Sequence, residues 1–126
     1  MVKPYYKDEA VTIYHGDCRE VLPSLPSYEL VVTDPPYGIN YVSARRTRPF
    51  RKGKVHGDEA FPLWLFEVLY PAVAMFVWCR WDVLYDLPKP TSFIVWDKGN
   101  HSMGDLHHEY GRQWEGCAFY PGPKHS

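Results

Sequence analysis

The sequence lacks a strong charge bias: 14 basic against 15 acidic residues leave a formal charge of −1. A histone-like basic field is excluded, so a polyanion would have to be held by a local patch. Cysteine is scarce. Cys18, Cys79 and Cys117 are odd in number and far apart, which argues against a disulfide framework and for reduced thiols. There is no CxxC pair and no HxxxH or HExxH spacing. His107 and His108 are adjacent and point different ways on a helix or a strand, so no metal site is expected. The longest apolar runs, such as 61–65 and 72–79, fall far short of the roughly 18–20 residues that cross a bilayer. No basic-then-apolar leader opens the chain, and a cytoplasmic protein without membrane contact is expected. No GxG occurs, since each of the nine glycines stands at least three positions from the next.

What is present is an ordinary globular composition. Of the 126 residues, 45% are hydrophobic and 23% charged, which fits one folded domain over residues 1–126. The first ten residues are polar and read as peripheral. Val11–Tyr14 alternates as a short strand, and a helix over Cys18–Leu22 follows with Asp17 placed to cap it. Leu30–Thr33 is a continuous apolar run, which predicts a strand covered on both faces. Residues 40–58 read as a polar loop in which Arg45, Arg46, Arg48, Arg51, Lys52 and Lys54 crowd together. Phe61–Tyr70 predicts a buried helix, opened by Pro62 and closed by Pro71. Ala74–Cys79, Ser92–Trp96 and Cys117–Tyr120 predict further strands, Arg80–Asp86 a helical turn or two, and 99–116 a loop. Trp64, Phe66, Trp78 and Trp81 are candidate core residues. Apolar strands alternating with helices and loops imply a layered α/β sheet.

The apolar run Leu30–Thr33 leads straight into Asp34-Pro35-Pro36-Tyr37-Gly38. Consecutive prolines cannot donate ladder hydrogen bonds, so the strand must stop there. By itself, an Asp-Pro-Pro is an ordinary strand-ending turn. Its setting changes that reading. The segments Val31–Tyr37 (VVTDPPY), His15-Gly16-Asp17-Cys18 with Leu22-Pro23, Phe76–Asp82 (FVWCRWD) and Ile94–Asp105 (IVWDKGNHSMGD) together resemble the amino-methylating DNA methyltransferases that carry a DPPY motif. The resemblance runs roughly from Val11 to Lys124.

Several expectations follow from that resemblance. The fold should be a partial doubly wound, Rossmann-like methyltransferase sheet, its catalytic half only. The cofactor is S-adenosylmethionine and the partner double-stranded DNA. Transfer goes to an exocyclic base amine, adenine N6 being favoured over cytosine N4 because Asp rather than Ser precedes Pro-Pro-Tyr. Asp34, Pro35, Pro36 and Tyr37 are the candidate catalytic residues. Such an amine is a poor nucleophile because its lone pair is delocalised, and an Asp34 carboxylate and Pro35 carbonyl around it would localise that pair and stabilise the developing charge. Tyr37, with Tyr41 and Trp96, would wall the pocket of a flipped base. Trp96 can equally end a strand. Asp17, with Asp34, would contact the cofactor, although Asp17 serves as well as a helix cap. Arg45 to Lys54 would contact phosphates, or form a solvated loop.

The family's glycine-rich cofactor turn and target-recognition region are not found in the sequence. The expected reading is therefore a catalytic portion to which a second polypeptide supplies the cofactor half. The alternatives are an inactive half-enzyme and a non-catalytic DNA- or partner-binding domain.

Overall fold

A computed structural model of the chain describes residues 2–39, 57–69, 74–100 and 113–122. Tyr6–Lys7 (β1) and Thr12–Ile13 (β2) pair antiparallel as a separate two-stranded ribbon. The opening residues are thus partly a strand, held by an Asp8 turn whose carboxylate accepts from the Ala10 and Val11 amides. Cys18–Val21 (α1) is a single turn, and Asp17 caps it by accepting from the Arg19 amide. A 3₁₀ turn over Leu22–Ser24 takes up Pro23 and ends the expected helix.

Among the described residues, four strands make the main sheet: Leu30–Thr33 (β3), Ala74–Cys79 (β4), Ser92–Asp97 (β5) and Trp114–Tyr120 (β6). Their spatial order is β3-β4-β6-β5. The β3–β4 pair is parallel, with Val31 opposite Met75, whereas β6 runs antiparallel to both β4 and β5. The ends of β3, β4 and β5 and the start of β6 therefore share one edge of the sheet. Asp34, Arg80, Lys98 and Glu115 lie along that edge, where open α/β sheets bind ligands. Strand β6 begins earlier than the sequence predicts, so Trp114–Gly116 belong to the sheet rather than to the expected loop. Gly116 fits there because the Phe93 ring lies where a β-carbon would be.

The alternation of β4 decides where the core sits. Met75, Val77 and Cys79 are buried, and so are their partners Tyr120 and Ala118 on β6. Leu65, Phe66 and Leu69 of Trp64–Leu69 (α2), together with Leu87, complete this layer. The Phe66 and Tyr120 rings meet edge to face at 5.3 Å, and the Tyr120 hydroxyl donates to the Pro88 carbonyl at 2.7 Å. Helix α2 starts later than expected, because Pro62 opens a tight turn in which Leu65 and Phe66 donate back to the Pro62 and Leu63 carbonyls. It buries one face only, Glu67 and Val68 being exposed.

The opposite sheet face differs from expectation. Leu30 and Val32 are 53% and 66% exposed, so β3 is not covered on both sides. It is an edge strand, and α2 packs into the core beneath the other face. Trp81, expected in the core, is exposed on the 3₁₀ turn Trp81–Tyr85.

Candidate active site

Strand β3 delivers Asp34 to the sheet edge and ends against the two prolines. Asp34 is exposed and Pro35 buried. The chain then reverses at Gly38, whose φ of +73° suits glycine. A β-carbon there would stand 2.6 Å from the Phe61 amide nitrogen and 2.8 Å from the Ala60 carbonyl carbon, so the loop lies flat on residues 60–61. Asp58 locks it in place. Its side chain is 3% exposed and accepts from the Gly38 amide at 2.8 Å and the Ile39 amide at 3.2 Å. A buried carboxylate accepting two amides is a strong, charge-assisted tie. Asp58 closes the polar loop expected over 40–58; the structure makes it the clamp of the Asp34–Ile39 loop.

Two clefts flank this loop and share Asp34, Pro35 and Pro36 as a common wall. The first encloses about 590 Å³ and is lined on its far side by His15, Asp17, Arg19, Trp64 and Leu65. That is within the roughly 300–1,000 Å³ range of small-molecule sites. Asp17 lines it while capping α1, and its carboxylate also pairs with the Arg19 guanidinium at 2.5 Å. Arg19 in turn lies over the Trp64 ring, 5.7 Å from its centre.

The second cleft, about 400 Å³, is bounded by Tyr37, Ile39, Asp58 and Glu115. Burial pushes the Tyr37 phenol well above its ordinary range. The nearby Asp34 and Glu115 carboxylates push it the same way. Tyr37 therefore stays neutral and keeps its proton. Glu115 is held by the Lys98 ammonium at 2.8 Å. Sequence reading missed Glu115, because it sat in a segment taken for a loop.

Trp96 is brought into neither cleft. It is 53% exposed and meets Trp78 edge-on at 6.0 Å. Tyr41, Arg45, Arg46, Arg48, Arg51, Lys52 and Lys54 lie outside the described residues. Among the described residues no group of three metal-binding side chains occurs, and no helix is long and apolar enough to cross a membrane.

Comparison with known proteins supplies two likenesses. No protein-family model matches the chain. Over 39 residues, 29% of this chain and 13% of the relative, it is 51% identical to the type II methyltransferase M.ScaI of Streptomyces caespitosus. Its fold resembles that of the crystal structure of the M1.HpyAVI–SAM complex, with a TM-score of 0.54 and 18% identity over 84% of this chain. The chain spans 50% of that solved chain. Short but close identity to one methyltransferase and a shared mixed sheet with another give the chain a methyltransferase-like α/β fold.

Proposed function

We propose that residues 1–126 carry the catalytic portion of an S-adenosylmethionine-dependent DNA methyltransferase that acts on an exocyclic base amine. The observation that carries this reading is the shared wall: Asp34, Pro35 and Pro36 border both clefts at the carboxyl edge of β3. A group-transfer enzyme needs its two substrates on either side of one reacting point, and this loop provides such a point.

The first cleft fits the cofactor in size and in chemistry. Pro35, Pro36, Trp64 and Leu65 offer apolar and aromatic walls for a nucleoside, and Asp17 a carboxylate for its polar edge. When bound, S-adenosylmethionine supplies a methyl group made electrophilic by a sulfonium. Asp34 accepts one hydrogen of the target amine and the Pro35 carbonyl a second, which directs the nitrogen lone pair toward the first cleft. The fixed Asp34 charge then opposes the positive charge that grows on nitrogen, and it costs no reorganisation because Asp58 and Gly38 hold the loop. Tyr37, kept neutral, gives the extrahelical base a flat face.

Adenine N6 is the favoured acceptor over cytosine N4, supported by Asp34 standing before Pro-Pro-Tyr. Double-stranded DNA is the partner, with Arg45, Arg46, Arg48, Arg51, Lys52 and Lys54 on its phosphates. A second polypeptide that supplies the cofactor's glycine turn is a further proposed partner. The test is methyl transfer from labelled S-adenosylmethionine to DNA, by this chain and by its complemented form, with the product nucleoside identified by mass. N6-methyladenine is expected. N4-methylcytosine would reverse the base assignment, and no labelled base in either form would end the enzymatic reading.

A further inference from the structure

The second cleft carries more than the Asp34 loop. On its far wall, Glu115 of β6 pairs with Lys98, just past β5, at 2.8 Å. Their backbones are tied together. Trp96 opposes Glu115 in the sheet, the Lys98 amide donates to the Gln113 carbonyl at 2.7 Å, and the Asp97 carboxylate accepts from both the Gly99 amide and the Gln113 side chain. Both side chains of the pair are about one-third exposed. Lys98 lines a recess of about 220 Å³ that adjoins the second cleft through Tyr37, Ile39 and Glu115. The pair thus holds a cation on a strand end, in a recess that meets the second cleft at Tyr37, Ile39 and Glu115.

This layout has a chemical complement. An acceptor in the cleft and a donor reaching it from the adjoining recess fit the amine and the neighbouring ring nitrogen of an amino base. Adenine presents N6–H and an N1 acceptor, and cytosine N4–H and an N3 acceptor. Thymine presents the reverse, a carbonyl beside a ring N–H, as guanine does on its O6/N1 edge. Asp34 is the acceptor, and Lys98 can donate but never accept.

We propose that Lys98 donates a hydrogen bond to the ring nitrogen next to the target amine, with Glu115 as the positioning residue that holds its ammonium at the cleft. The proposal rests on the methyltransferase reading and extends it from the reacting amine to the edge that identifies the base. It makes the cleft select adenine or cytosine over thymine.

A chemical double-mutant cycle tests it. The methylated position is first mapped by sequencing DNA treated with the active form and S-adenosylmethionine; finding none overturns the enzymatic reading itself, and this proposal with it. Duplexes are then made with 1-deazaadenine at the target, or 3-deazacytosine where the methyl lands on cytosine. Each keeps the amine and lacks the ring acceptor. Single-turnover transfer is measured for the wild type and Lys98→Met. On the natural base, Lys98→Met should slow transfer about 10–100-fold, the size of one hydrogen bond to a charged group. On the deaza base the variant and the wild type should agree within about two-fold, which also cancels the altered reactivity of that amine. Glu115→Gln should show a smaller loss with the same dependence on the ring nitrogen. Equal losses from Lys98→Met on both bases would overturn the proposal and leave the methyltransferase reading standing. If Lys98→Met does not fold, Lys98→Arg with the same base pair takes its place, and a variant effect independent of the ring nitrogen again overturns it.

Discussion

The two clefts beside Asp34 share one wall and differ in everything else. The first is the larger, and its far side is a strand-to-helix turn: His15, the Asp17 cap, and Arg19 laid over Trp64. The second is built on the sheet edge itself, from the clamped loop and the start of β6. Its groups are tied to the sheet and to one another: Asp58 to two amides and Glu115 to Lys98. The Asp17–Arg19 pair beside the first cleft is largely exposed, and such pairs add little rigidity. The difference matches two tasks. A site that receives a diffusible cofactor can be open and adjustable. A site that must present one amine to one carboxylate has to be fixed before the substrate arrives.

Substitutions that cross this division break the comparison, and those that respect it sharpen it. The largest effect is expected from Gly38→Ala, which strikes the wall both clefts share. A positive φ and a β-carbon 2.6 Å from backbone nitrogen should together cost about 2–5 kcal/mol. Denaturant unfolding should show this loss, and binding of both cofactor and DNA should fall with it. Tyr37→Ala should act on the second cleft alone. It removes a stacking face worth about 1–3 kcal/mol per base, so DNA affinity drops while cofactor affinity, read by calorimetry, holds. Trp64→Ala is the mirror case. Loss of an aromatic wall should weaken cofactor binding by about 0.5–1.5 kcal/mol and leave DNA affinity in place. An equal effect of either variant on both ligands would dissolve the division.

The smallest effect concerns alkaline stability. Tyr37 holds its proton more tightly in the folded chain than at its ordinary value of 10.0. Its contribution is therefore complete below pH 10 and is lost as pH rises above it. Cys79, which burial pushes from 9.0 up to about 11, acts with the same sign between those values. Tyr37→Phe should flatten the fall in stability above pH 10 only, and leave the decline that begins near pH 9. A Tyr37→Phe curve parallel to the wild type at pH 11 would place the phenol outside the Asp34 environment.

Much of this layout was legible in the residues. Leu30–Thr33 and Ala74–Cys79 match the strands predicted from their apolar runs, and Asp17 caps α1 as its type and place implied. What stayed hidden depends on pairing across the chain. An apolar strand reads the same whether one face or two are covered, so Val32 gave no sign of its exposure. Trp114–Gly116 mix an aromatic, an acid and a glycine, and only their partners Asp97, Trp96 and Val95 make them a strand. Asp58 reads as the last residue of a polar loop. Its burial against the Gly38 amide, twenty residues earlier, follows from tertiary packing.

The most direct test of the account is single-turnover methyl transfer by Asp34→Asn in the complemented or full-length form, measured beside its affinities for cofactor and DNA. The substitution keeps size and one acceptor but removes the charge that opposes the cation on nitrogen. Transfer should slow by about 10²–10³-fold, with both affinities nearly unchanged. A folded Asp34→Asn protein that transfers methyl at the wild-type rate would contradict the assignment of Asp34 as the group between the two clefts.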